Sequence, residues 1–102
     1  MPALITDLKA RQAELAVLVK NGDFGGVYYP ALQAKDLALQ IQKQRVPGTP
    51  DQEGLEKHVR ELVLAAYQLD NYGDLGDGEK INQAFGRFNS AISALETLVG
   101  SP

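Results

Sequence analysis

His58 is the single histidine of the 102-residue chain, and its side chain is the one best suited to proton or phosphoryl transfer near neutral pH. Histidine phosphotransfer domains are helical bundles in which the reactive histidine is followed three residues later by lysine and then by glycine. Here Arg60 comes two residues after His58, and Leu62 stands where the glycine would leave room for a docking partner. We therefore expect His58 to lie at the edge of a helix's core-facing stripe, with phosphotransfer as an alternative.

Four acidic residues between positions 70 and 79 suggest a second kind of chemistry, the binding of Ca²⁺. A calcium loop arranges about six to eight oxygen ligands in a fixed register, with glycine at its sixth position and glutamate at its twelfth. A register that starts at Asp70 puts Leu75 and Ile81 at those positions, so the loop does not fit. Asp74 and Asp77 are better explained as turn and helix-cap residues. Binding of a divalent cation or another small ligand stays open as an alternative.

Cofactor and nucleophile chemistry lacks the residues that it needs. The chain has no cysteine, and its one methionine is Met1, so the usual haem ligand sets are missing. There is no pair of Glu-x-x-His motifs for a di-iron site. None of the serines lies in a Gly-x-Ser-x-Gly turn. We expect no cofactor, no metal site and no enzymatic activity.

An aromatic cluster next to Gly25 and Gly26 is the best candidate for partner or ligand binding. Its residues are Phe24, Val27, Tyr28, Tyr29 and Pro30. Tyrosine is enriched at protein interfaces because its ring can be buried while its hydroxyl stays hydrated. The alternative is that these residues plug one end of the fold, together with Tyr67 and Tyr72.

Composition limits the classes of partner. Hydrophobic residues make up 44% and charged residues 23% of the chain, which is typical of a globular domain. No apolar run reaches the roughly 18 to 20 residues that span a bilayer. The net charge is −3 and the basic residues are scattered, which argues against nucleic-acid binding. The lack of cysteine fits either the cytoplasm or the periplasm of a bacterium, and a removed signal peptide would favour the periplasm.

A near-repeat organises the elements that would position these residues. Gly22-Asp-Phe-Gly25 and Gly73-Asp-Leu-Gly76 lie 51 positions apart, and apolar residues flank both copies at matching positions with helical spacing. Each copy is predicted to be the turn of a helical hairpin, with Asp23 and Asp77 as caps of the following helices. The sequence thus predicts one all-α domain, an antiparallel up-down-up-down four-helix bundle of two similar hairpins.

The predicted boundaries follow from the same pattern. Hairpin 1 is predicted at 4–44, the linker at 45–49 and hairpin 2 at 50–100, and the first helix covers about 4–20. Because Pro30 lies near its start, the second helix is expected to have a loose or kinked opening before a regular part over about 29–44. The third is predicted at about 50–71 and closed by Gly73, and Gly100 ends the fourth. Arg11 interrupts the apolar stripe of the first helix.

Motifs from Asp7 to Val99 resemble those of small, mostly uncharacterised bacterial proteins that fold as four-helix bundles. The motifs that carry the resemblance are Lys20-Asn-Gly-Asp-Phe24, Pro30-Ala31, Lys35-Asp-Leu-Ala38, Leu69-Asp70 and Gly73-Asp-Leu-Gly-Asp77. Such proteins are often exported, and some are encoded near heavy-metal efflux or respiratory systems. That group commonly has a histidine where this chain has Tyr28, so the resemblance implies no metal ligand there.

From these observations we expect a non-catalytic accessory or partner-binding bundle that acts through the Phe24–Pro30 end, with a protein partner or a second copy of the chain as the bound species.

Overall fold

The computed structural model describes residues 2–44 and 52–99, and within these ranges the chain is helical with no strand. Four α-helices follow one another: α1 (Pro2–Asn21), α2 (Tyr28–Gln44), α3 (Gln52–Leu75) and α4 (Gly78–Val99). A single 3₁₀ turn, Phe24–Gly26, precedes α2. The all-α prediction is confirmed. The linker predicted at 45–49 and the proposed end at Gly100 lie outside the described residues.

The helices pack around one shared core. α1 contacts α2 and α4, and α3 also contacts α2 and α4, an arrangement compatible with a four-helix bundle. Apolar positions matched by the near-repeat supply much of this core: Leu8, Leu15, Ile41, Val59, Ala66 and Ile92 are all buried. No polar or charged residue among those described is buried. The core is therefore held together by apolar burial.

The C-terminus of α1 has the predicted glycine turn. Gly22 adopts a φ of 75°, which costs glycine little because it has no Cβ atom. The amide of Asp23 donates to the carbonyl of Leu18 at 2.9 Å, and the amide of Gly22 donates to that of Val19 at 3.2 Å. These two bonds form a Schellman motif, which satisfies carbonyls that the end of a helix leaves free.

The predicted end of α3 near Gly73 is wrong. The helix continues to Leu75, and its Schellman motif is built on Gly76, whose φ is 68°. Gly73 is instead buried inside the helix, where a Cβ atom would lie 2.6 Å from the carbonyl oxygen of Phe24. Glycine is required at position 73 because the 3₁₀ turn lies against it.

The two copies of the near-repeat therefore fold differently. The first copy turns at its first glycine, Gly22, whereas the second turns at its last, Gly76. Phe24 begins a 3₁₀ turn, while its counterpart Leu75 is the last residue of α3. As a result, α3 ends three residues later in its half of the chain than α1 does in its own.

The regular part of α2, Tyr28–Gln44, lies close to the predicted 29–44, but the predicted cap at Asp23 is wrong. Asp23 makes no side-chain capping bond, and the 3₁₀ turn separates it from the helix. Pro30 is the third residue of α2. Amides in the first turn of a helix have no intrahelical acceptor, so proline causes no loss there and no kink is needed. The amide of Ala31 donates to the carbonyl of Val27 at 3.2 Å, which closes the first turn.

Asp77 caps α4 as predicted. Its carboxylate Oδ1 accepts a hydrogen bond from the Lys80 amide at 3.2 Å, and its carbonyl accepts from the Ile81 amide at 2.9 Å. The negative charge also lies at the positive end of the helix dipole. This aspartate is a structural residue of the α3–α4 turn.

Candidate functional site

The predicted aromatic cluster occupies the 3₁₀ turn and the first turn of α2. It is held in place by close contacts to two glycines. The Phe24 carbonyl lies against Gly73 of α3, and a Cβ atom at Gly78, the first residue of α4, would be 3.2 Å from the Phe24 ring. The turn is therefore packed tightly against both helices of the second half.

The five residues of the cluster divide into a buried base and an exposed pair. Val27 and Pro30 are buried, and Phe24 is half-buried against the core. Tyr28 and Tyr29 are 47% and 60% exposed. Their rings meet edge to face, with centroids 6.3 Å apart and planes at 78°. Tyr28 and Tyr29 are thus the two exposed members of the cluster, and we call them the tyrosine pair.

Interpretation of the cluster as a plug therefore fits only part of it. Tyr72 is half-buried and packs against the core, as Phe24 and Val27 do. The tyrosine pair does not take part in that packing, since both residues are exposed and neither packs against the core. Burial thus closes this end of the molecule and still leaves two aromatic rings in contact with solvent.

Two other tyrosines near this end hold lysine side chains over their rings. The ammonium of Lys35 is 5.7 Å from the centroid of Tyr67, and that of Lys80 is 5.5 Å from the centroid of Tyr72. Both distances fall within the range of cation–π attraction. Lys35 also forms an ion pair with Asp36 at 3.1 Å, and this hydrogen bond, aided by Tyr67, raises the pKa of Lys35 above its ordinary value.

His58 is half-buried on α3, beside the core stripe. Its Nδ1 atom lies 2.9 Å from Oε1 of Glu61, one helical turn further along. The contact is an ordinary hydrogen bond when the ring is neutral and an ion pair when it is protonated. In this arrangement the Glu61 carboxylate orients the imidazole ring.

The possible metal ligands among the described residues are not clustered. Across residues 2–44 and 52–99, no three His, Asp or Glu side chains come together where they could hold a metal ion. The Asp77 carboxylate already accepts a backbone amide. None of the four helices in the described ranges is long and apolar enough to cross a membrane.

A groove between α3 and α4 was not predicted from the sequence. Its volume is about 680 Å³, and it is lined by Glu61, Leu64, Ala65, Gln68, Gln83, Gly86, Arg87 and Ser90. Arg87 donates from Nε and Nη2 to the Gln68 side-chain oxygen, at 3.1 and 2.9 Å, across this groove. The sequence feature that could have indicated the groove is Leu64, an apolar residue that lies off the apolar stripe of α3 and is 59% exposed. The lining is mixed and open, with no concentrated charge.

Comparison with protein-family models finds no match to the chain, and comparisons with curated proteins and with solved structures find none either.

Proposed function

We propose that this chain is a non-catalytic helical-bundle protein whose role is to bind a partner protein through the tyrosine pair. The observation that carries the proposal is that two adjacent rings, Tyr28 and Tyr29, stay exposed on a tightly packed base. Tyrosine supplies a large contact area with few rotatable bonds, and it is among the residues that most often dominate binding energy at interfaces.

The base beneath the pair supports this function. Val27 is fully buried, Pro30 is buried, and the turn that precedes them lies against Gly73. Since the backbone under the rings is already ordered, binding would require little further loss of conformational freedom. A preorganised aromatic surface of this kind suits recognition rather than catalysis.

The same proposal includes the arrangement of the helices, an antiparallel up-down-up-down bundle. Cross-helix contacts support it. Lys9 pairs with Glu96 and Gln12 with Asn89, so the partners in α4 come earlier as the residues in α1 come later. The contacts between α3 and α4 show the same reversed order. Gly54, early in α3, lies near Leu98, late in α4, whereas Gln68, further along α3, pairs with the earlier Arg87. Short turns at Gly22 and Gly76 fit antiparallel neighbours.

An accessory role in the bacterial periplasm agrees with this proposal. The sequence resemblance to exported bacterial bundles points to that compartment, and binding through a preformed surface needs no cofactor or energy source.

Photo-crosslinking tests the proposed surface directly. A photoreactive phenylalanine analogue replaces Tyr29 in one protein and Val17 in another, and both are irradiated in a lysate of the source organism. Val17 is the matched control because it is 58% exposed on α1. A discrete adduct is expected from position 29 that position 17 does not give.

A Tyr28→Ser/Tyr29→Ser double variant provides the second measurement. In pull-downs it should capture less of the adduct partner than wild type does, with an unchanged far-ultraviolet circular dichroism spectrum. Val17→Ser should capture it normally. Equal adducts at both positions, or capture that survives the double substitution, would refute the proposal.

A further inference from the structure

We infer that the partner surface recognised by the tyrosine pair is a basic protein segment, in which Arg or Lys side chains stack on Tyr28 and Tyr29. This inference rests on the proposed function and specifies the chemistry of its partner. Three observations support it: how the other tyrosines are used, the charge around the pair, and the alignment of α2 with α3.

The chain already uses tyrosine rings of this region as cation acceptors. Lys35 lies over Tyr67 and Lys80 over Tyr72, both within 6 Å of the ring centroid. Among the described residues, no cation lies over Tyr28 or Tyr29. Tyr28 is about as exposed as Tyr67, and Tyr29 is more exposed than either. The faces of the pair are therefore left for a cation from another molecule.

The charge around the pair has the matching sign. The segments 20–29 and 70–80 carry five carboxylates and two lysines. Within the described structure, Asp23, Asp70, Asp74 and Glu79 form no ion pair. Such a field attracts a basic segment and repels nucleic acid and anionic lipid.

The alignment of α2 with α3 brings two of these carboxylates close to the pair. Val27 lies against Gly73, and Lys35 lies over Tyr67. Tyr28 is therefore level with the segment 70–74, within about one helical turn. Asp70 and Asp74 follow Tyr67 at spacings of three and seven residues, so they share its side of α3, which faces α2.

Together these residues form a site suited to an arginine-rich segment. A guanidinium group can stack on an aromatic ring while its N–H groups donate to neighbouring carboxylates. Tyr28 and Tyr29 would supply the stacking surface and the apolar contact, and Asp70 and Asp74 would supply the acceptors. Neither half of the site requires a metal ion or a change in the bundle.

Binding of three labelled peptides to the full chain, followed by fluorescence anisotropy, tests the inference. All three peptides have leucine at the same positions. The remaining positions are Arg in the first peptide, Glu in the second and Ser in the third. The Arg peptide should bind about tenfold more tightly than the Ser peptide, and the Glu peptide should bind most weakly. Added salt should weaken binding of the Arg peptide, because the carboxylates that attract it are near the surface, where salt screens their charge.

Two variants locate the binding. Tyr28→Leu/Tyr29→Leu keeps apolar area but removes the aromatic faces. This variant should bind the Arg peptide about fivefold more weakly than wild type does. Asp70→Asn/Asp74→Asn should weaken it by about three- to tenfold. The matched control is Glu53→Gln/Glu56→Gln, which removes the same charge from the other end of α3 and should have less than about a twofold effect.

The other outcomes overturn the inference, in distinguishable ways. If the Ser or Glu peptide binds as tightly as the Arg peptide and is weakened by the tyrosine substitutions, the surface binds partners but does not select basic ones. If the Arg peptide does not bind, or ignores both variants, the inference fails whatever the crosslinking shows. A homodimer in sedimentation that Tyr28→Leu/Tyr29→Leu dissociates would assign the surface to a second copy. Failure of the proposed function itself appears separately, as a position-29 adduct that is absent or no stronger than the position-17 adduct.

Discussion

Gly73 of α3 lies so close to Phe24 that a Cβ atom at position 73 would be 2.6 Å from the Phe24 carbonyl oxygen and 2.8 Å from Cγ2 of Val27. Residues 49 positions apart in the chain are thus packed backbone to backbone. This contact holds the 3₁₀ turn in place and sets the position of the tyrosine pair that follows it.

Gly73→Ala should destabilise the fold although alanine favours helix. The intrinsic helix preference of alanine gains about 1 kcal/mol. Forcing a methyl group into a closed site costs about 1–3 kcal/mol, and we expect the upper part of that range, about 2–3 kcal/mol, because the opposing atom is backbone that cannot rotate away. We expect a net loss of about 1–2 kcal/mol in the free energy of unfolding, measured by urea titration.

Gly86→Ala is the matched control for that substitution. Gly86 is exposed in α4, and a Cβ atom there meets nothing within 4 Å. Without a clash, the variant should be more stable than wild type by about 0.5–1 kcal/mol. If Gly73→Ala also raised the stability, the contact with Phe24 would not be rigid.

Asp77→Ala should destabilise the protein by about 1 kcal/mol, because the Lys80 amide loses its acceptor. Asp23→Ala provides the comparison, since Asp23 makes no side-chain capping bond despite its place in a similar motif. Its effect should stay below about 0.5 kcal/mol. Thermal unfolding followed by circular dichroism measures both. Equal losses would mean that the aspartates act through charge rather than through the hydrogen bond.

Arg11→Leu should stabilise the protein. Arg11 is half-buried in α1, and although Nη2 pairs with Glu14 at 2.7 Å, its Nε atom is buried without a partner. An unpaired buried donor costs about 1–3 kcal/mol, while an exposed ion pair contributes about 0–1 kcal/mol. Leu62, at the matching position of the near-repeat, is fully buried.

We expect a gain of about 1 kcal/mol from this change, or about 4–8 °C in Tm for a domain of this size. Lys57→Leu is the control, because Lys57 is exposed on α3 and the same type of change should alter the stability by less than about 0.5 kcal/mol. A lower Tm for Arg11→Leu would show that the guanidinium is worth more than its geometry indicates.

Local periodicity predicted most of the helical architecture. Leu8, Leu15, Val59 and Ile92 recur at helical spacing, and each is buried, because the helical period depends on nearby residues alone. The Gly22 turn and the Asp77 cap were predictable for the same reason, since each is satisfied by atoms within six residues.

Features that depend on distant residues were missed. Gly73 has the sequence context of a helix terminator, but position 73 requires glycine because the distant 3₁₀ turn packs against it. The candidate site shows the same limit. The cluster was identified as a group, but which members are buried depends on that 3₁₀ turn, so the division between Val27 and the tyrosine pair could not be predicted from composition.

The unequal use of the repeated motif gives the molecule a polarity. If both halves had turned at the same glycine, their ends would be equivalent, and a partner could meet either half in the same way. Because α3 runs three residues beyond the point equivalent to the end of α1, its last turn is the surface against which the 3₁₀ turn of the first hairpin packs. The two hairpin turns are therefore not equivalent: in the described structure, the first packs a 3₁₀ turn against the opposite helix and the second does not.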